Sequence, residues 1–97
     1  MDFLLDYNIS KETIDIINKE EEPSSILYYL SKKDNIIEVL KYLQTINLEV
    51  EPLLINRIEL FLLPLDLIKR KFSEFNIEVL TKLINDDMNI LNGLFFE

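Results

Sequence analysis

Tyr7-Asn8-Ile9-Ser10, Ile46-Asn47-Leu48-Glu49 and Phe75-Asn76-Ile77-Glu78 are three versions of one pattern: a large apolar residue, Asn, Ile or Leu, then Ser or Glu. A second triplet follows each at a similar distance: Ile16-Ile17-Asn18, Leu54-Ile55-Asn56 and Leu83-Ile84-Asn85. The intervals between copies are about 38 and 29 residues, within the range of helical repeats. The pattern has a physical meaning. Asn tolerates the left-handed backbone conformation and ends a helix where Gly usually would. The apolar residue before it is then the last inward contact of one helix, and the Ile or Leu after it is the first of the next. Ser10 is placed to cap that next helix by accepting from its free N–H groups. Glu49 and Glu78 fall near a helix start, where negative charge is favoured.

The stretches between the tetrapeptides carry helical spacing. Ile36, Leu40, Leu43 and Asn47 follow i, i+4, i+7, with Val39 and Ile46 beside them. Leu65, Ile68, Phe72 and Phe75 form a second stripe, and Lys69, Arg70, Lys71 and Glu74 fall off it. No stretch alternates with period two, and Asn, Lys and Glu are poor strand formers, so no strand is expected. Pro23 stops the helix that begins at Ser10, Pro52 suits the first turn of another, and Pro64 divides the second unit from the third. Asp34 is placed to cap a long helix, Asp86 or Asp87 a short last one, and Gly93 to end it.

The resulting map has helices near 2–7, 10–21, 24–32, 35–46, 50–56, 58–63, 65–75, 78–85 and 87–92. The expected fold is all-α: one domain over 1–97, made of three degenerate helix-turn-helix units at about 1–32, 33–63 and 64–97. Three units are about the minimum for a stacked array to bury a continuous core.

This unit resembles the repeat of mitochondrial transcription-termination-factor-like proteins: a helix, a tight turn, a second helix, then a short segment of the form Pro-x-Ile/Leu-Leu. The residues that carry the likeness are Tyr7-Asn8-Ile9-Ser10 through Pro23-Ser24-Ser25-Ile26-Leu27 in the first copy. In the second they are Tyr42-Leu43 through Leu48 and on to Glu59-Leu60-Phe61-Leu62, and in the third Phe75 through Ile84 to Asn89-Ile90-Leu91. The resemblance implies a helical-repeat fold and a nucleic-acid partner. The chain departs from the family where its turns carry Asn8, Asn47 and Asn76 in place of Gly, where Pro23 has no counterpart in the later copies, and where the family's basic face meets an acidic chain.

Composition narrows the chemistry. The chain has 97 residues, 48% hydrophobic, and a formal net charge of −8. At that length it can bury roughly 65% of the surface its unfolded form exposes. There is no Cys and no His, which removes disulfides, thiolate zinc sites, cysteine nucleophiles and the commonest general base. The few Ser and Thr residues have no His to activate them, and the many carboxylates come with no phosphate loop or glycine elbow. No enzyme activity, metal or cofactor is expected. Neither Glu20-Glu21-Glu22 nor Asn85-Asp86-Asp87 has the alternating oxygen ligands and Gly turn of a calcium loop. The opening Met1-Asp2 is not a signal-peptide start, and Leu60-Phe61-Leu62-Leu63 runs into Pro64 far short of a span, so a cytoplasmic, membrane-free setting is expected.

Charge is uneven. Residues 1–31 carry Lys11 and Lys19 against seven acids, a balance of −5. Such a chain repels nucleic acid on average and attracts basic partners. Glu20-Glu21-Glu22 at a helix end opposes the dipole, which points to a contact for a basic partner and otherwise reads as a frayed, solvated helix end before Pro23. Lys32-Lys33 and Lys69-Arg70-Lys71 are the densest basic groups, a modest footprint for phosphate binding that otherwise reads as solvated surface. Tyr28, Tyr29 and Tyr42 could stack on bases, but their apolar neighbours Ile26, Leu27 and Leu30 point to the core. Phe95 and Phe96 either fold back over the array or dock on another chain. The leading expectation is a non-enzymatic protein-interaction module with an acidic or apolar face. The alternatives are a nucleic-acid-binding module and an acidic inhibitor that mimics nucleic acid in a basic groove.

Overall fold

In the computed structural model, which describes residues 1–96, the chain is all-α. A 3-10 helix at Asp2–Tyr7 leads to α1 (Lys11–Glu20), α2 (Pro23–Ser31), α3 (Lys33–Thr45) and α4 (Val50–Asn56). A second 3-10 helix (Ile58–Leu62) precedes α5 (Leu65–Phe72) and α6 (Ile77–Asp86), and a π-helical turn covers Asn92–Phe96.

Two of the Asn turns are the same structure. Asn8 and Asn47 both have φ 65°. At Asn47 the N–H of Leu48 donates to the Leu43 carbonyl at 3.1 Å and that of Asn47 to Gln44 at 3.2 Å. This double closure is the helix stop that a left-handed residue permits. At Asn8 the N–H of Ile9 reaches the Leu4 carbonyl in the same relation, at 3.4 Å. The residues the motif brings together, Leu4 with Ile9 and Leu43 with Leu48, are all buried. The stop therefore consists of one left-handed Asn and one apolar pair five residues apart.

The third tetrapeptide does something else. Helix α5 ends at Phe72, three residues before the tetrapeptide, and Asn76 has φ −69°. Its side chain accepts from the Val79 N–H at 3.2 Å, so it starts α6 and terminates nothing. Phe75, expected on the α5 stripe, lies outside α5 and is exposed. Three smaller expectations are also corrected. Asp34 sits inside the first turn of α3, whose N-cap is Lys32 with no side-chain cap. The last short helix starts later than expected, at residues 90–91 after a turn, although Asp87 does cap this end by accepting from the Asn89 N–H at 3.0 Å. Gly93 lies within the π-helical turn without a positive φ, so it is no helix stop.

Helix α3 is the centre of the molecule. It buries Ile36, Val39, Leu40 and Leu43 completely. It packs against the N-terminal 3-10 helix, α2, α4, the Ile58–Leu62 helix and α5. Each such Leu or Ile contributes roughly 1.5–3 kcal/mol of transfer free energy. Asn35, on α3, donates through Nδ2 to the carbonyls of Phe61 (2.8 Å) and Leu63 (2.9 Å) and ties that helix to the turn before α5. Gln44, at its other end, donates to the Tyr7 carbonyl at 2.8 Å. Helix α1 lies against α4, start to start: the Ser10 N–H donates to the Glu51 carboxylate. Asn85, in the last turn of α6, meets the beginning of α4, accepting from the Glu49 N–H (2.9 Å) and donating to the Asn47 carbonyl (3.2 Å). So α6 presents its end where α1 presents its start. The radius of gyration, 13.0 Å, is that of a fully wrapped domain of this length.

The Ser10–Glu51 contact has a pH signature. The Ser10 N–H, the largest cause, holds the Glu51 carboxyl below its usual value, against a smaller opposing effect of burial. A depressed folded value stabilises the fold above the unfolded value and stops doing so as pH falls through the folded one. Glu51→Gln is therefore expected to lower stability at about pH 7 and to leave it unchanged in acid below the folded value. Urea midpoints of both chains at the two pH values check this. An equal loss at both would assign the effect to packing.

Candidate functional site

Helix α6 has two apolar sides. Leu80, Thr81 and Ile84 face inward and are buried. Val79 and Leu83 face outward at 56% and 47% exposure, and Phe75 just before the helix is 46% exposed. A surface helix normally spends that side on polar residues. Opposite this stripe runs the end of the chain, with Ile90 and Leu94 half-buried. Between them is a groove of about 340 Å³, its lining drawn entirely from residues 75–94. Gly93 borders it, and a Cβ there would meet nothing within 4 Å. The groove is apolar almost throughout, with Asn76 at one end.

An aromatic row runs from α3 through the end of α5 to the C-terminal turn. Phe72, fully buried, lies 6.4 Å from Tyr42 and 5.9 Å from Phe95, and Phe95 lies 6.0 Å from Phe96. Phe95 and Phe96 thus fold back and are half-buried. Burial raises the Tyr42 hydroxyl pKa above its usual value.

A larger cleft of about 520 Å³, polar and apolar in equal measure, lies on the other side of α6, where Ile46 and Ile77 join Thr45, Glu78, Thr81 and Asp86. The Thr81 hydroxyl is buried without a partner at its edge. Among the described residues neither Thr hydroxyl in it is hydrogen-bonded to Glu78 or Asp86: that of Thr45 donates to the Tyr42 carbonyl at 2.6 Å. Among the described residues no group of three or more acidic, His or Cys side chains could hold a metal ion. Among them, too, no helix is long and apolar enough to cross a membrane.

The remaining residues singled out from the sequence are scattered. Glu20 ends α1 and is exposed. Glu21 accepts from the Tyr29 hydroxyl at 3.2 Å, and burial together with Glu21 raises that tyrosine's pKa. Glu22 is the N-cap of α2, so its charge sits at a favourable helix start, and the conflict with the dipole expected for the whole run is confined to Glu20 and Glu21. Lys32 lies over the Tyr28 ring at 5.9 Å, Lys33 over Phe3 at 5.5 Å and Lys69 over Tyr42 at 5.5 Å. Lys41, not singled out from the sequence, lies over Tyr7 at 5.5 Å. Arg70 is exposed and Lys71 half-buried. The expectation of a core-facing Tyr28 is corrected: it is 52% exposed, Leu27 beside it is 69% exposed, and α2 buries no residue fully. The cause is that α2 packs mainly on α3, through a side that leaves Leu27 and Tyr28 outward.

The groove itself is absent from the sequence reading. Its signal is present as Phe75, Val79 and Leu83, spaced four apart. The competing stripe Leu65-Ile68-Phe72-Phe75 claims Phe75 for α5 and conceals it. No known protein family, curated protein or solved structure matches this chain.

Proposed function

We propose that this chain is a non-enzymatic helical protein-interaction module that takes a polypeptide into the groove between α6 and the C-terminal turn. The observation that carries this reading is the exposure of Phe75, Val79 and Leu83 along one wall of one apolar groove. Large apolar side chains gathered on one exposed surface mark binding sites, whereas scattered ones do not. The groove is already formed in the free chain, with Ile90 and Leu94 half-buried along its second wall, and a preformed site spares a partner the cost of ordering it. The overall acidity favours partners that carry basic residues around an apolar anchor. We read the chain as stacked units, supported by the shared Asn8 and Asn47 stops. The third unit diverges where it forms the groove.

A photo-crosslinking residue at Leu83 tests this in the cells that make the protein. The expected result is a discrete polypeptide adduct from Leu83 and none from Asn18, which is exposed on α1. No adduct from Leu83 above the Asn18 level would overturn the reading.

A second reading has one observation of its own. Lys33, Lys41 and Lys69 each lie over an aromatic ring, on α3 and α5, which pack together. Lysines backed by aromatics suit phosphate and base contacts, the role implied by the termination-factor-like resemblance. A salt titration against duplex DNA and RNA decides it. Phosphate contacts are strongest at low salt, so no binding there removes this reading.

A further inference from the structure

Among the described residues, the large hydrophobic side chains that stand exposed are confined to the two ends of the chain. They are Leu5, Ile16, Leu27, Tyr28 and Leu30 in the first unit and Phe75, Val79 and Leu83 in the third, with none between residues 31 and 74. The middle unit covers its apolar surface, and the end units leave theirs bare. In stacked helical proteins the outer faces of the end units are polar where nothing follows them.

We propose that the groove on α6 receives α2 of a second copy of this chain, so that copies associate head to tail. This rests on the reading of the groove as a polypeptide-binding face and names its occupant. Three features carry it. The first is shape: α2 spans nine residues and α6 ten, about 13 and 15 Å of helix. The second is chemistry. Leu27, Tyr28 and Leu30 form an outward apolar side on α2, and Phe75, Val79 and Leu83 form the bare wall of the groove.

The third feature is the order of charges along the two elements. Glu20-Glu21-Glu22 precedes α2 and Lys32-Lys33 follows it. Lys69-Arg70-Lys71 precedes the groove wall and Asp86-Asp87 follows it. Laid parallel, acid meets base at both ends; laid antiparallel, like meets like. Glu74 and Glu78 reduce the basic charge before the groove wall and Lys82 the acidic charge after it, while Lys19 reduces the acidic charge before α2 and Asp34 the basic charge after it. None reverses the sign. The contact joins two different patches, so it leaves one free at each end and can extend.

Sedimentation velocity over a concentration series tests the proposal. The wild-type chain is expected to form species that grow with concentration. Leu27→Glu and Val79→Glu replace exposed side chains and leave the core alone, and circular dichroism confirms that each still folds. Each variant alone is expected to be monomeric. Mixed together, they form a one-to-one dimer and stop, because one retains the groove and the other retains α2. Lys32→Glu with Lys33→Glu weakens association by at least about tenfold, and combining it with Asp86→Lys and Asp87→Lys restores it. A wild-type chain that stays monomeric at its highest soluble concentration overturns the proposal. So does self-association that survives Leu27→Glu, or variants that fail to complement. If the Leu83 crosslink still captures a different polypeptide in those cases, the groove reading stands and only its occupant was misassigned. If it captures nothing, both fall.

Discussion

Phe61→Ala is expected to remove about 3–5 kcal/mol of stability. Phe61 is fully buried, in the short 3-10 helix Ile58–Leu62 that lies directly on α3. Deleting the ring loses its transfer free energy and leaves a cavity. The surroundings are poorly able to close that cavity, because Asn35 pins the Phe61 and Leu63 carbonyls in place. A domain of this size has a total of about 5–15 kcal/mol, so the variant should be partly unfolded or close to it. Urea denaturation followed by circular dichroism reads the change. A loss under about 1 kcal/mol would mean that the 3-10 helix is not part of the core.

Asn35→Asp should have the largest effect of any change that alters almost no volume. The Asn35 amide donates two hydrogen bonds, to Phe61 and to Leu63, and is half-buried. A carboxylate has no hydrogen to give. It would face two carbonyl oxygens across the same distances, with repulsion replacing both bonds. The expected cost is about 2–3 kcal/mol near neutral pH, falling in acid as the carboxyl gains a proton and with it one donor. Asn35→Ala, which loses the bonds without the repulsion, should cost less. Urea midpoints of the three chains check the order. Equal stability for Asn35→Asp and wild type would show that the tie between α3 and the turn before α5 is not formed.

Parts of this structure can be read from the sequence, and others cannot, for identifiable reasons. Asn8 and Asn47 are legible as helix stops because both elements of the motif are local: a left-handed residue and an apolar pair five positions apart. Ser10 is legible as a cap for the same reason. Asn76 has the same neighbours in sequence but different geometry. Whether an Asn closes one helix or opens the next depends on where the preceding helix ends, and α5 ends at Phe72. That three-residue difference also decides the site. It releases Phe75 from the α5 stripe and aligns it with Val79 and Leu83.

The exposed side of α2 is illegible for a related reason. Ile26, Leu27, Tyr28, Tyr29 and Leu30 read as core by composition. Five consecutive apolar residues on a helix point in all directions, but a surface helix has only one core to face, so part of the run is left outward. Charge, by contrast, is legible as runs along the chain but not as the surface each run faces. The balance of −8 says nothing of which element each carboxylate flanks, and it is the order of charges around α2 and α6 that gives the two ends their complementarity.

The two bare apolar faces are expected to be covered by protein when the chain is at work. Carbene footprinting in intact cells, compared with the dilute purified chain, measures this most directly. Leu27, Tyr28, Val79 and Leu83 should be labelled strongly in dilute solution and protected in cells, while the exposed Leu5 and Ile16 react alike in both. Equal labelling of all six residues in the two settings would contradict it.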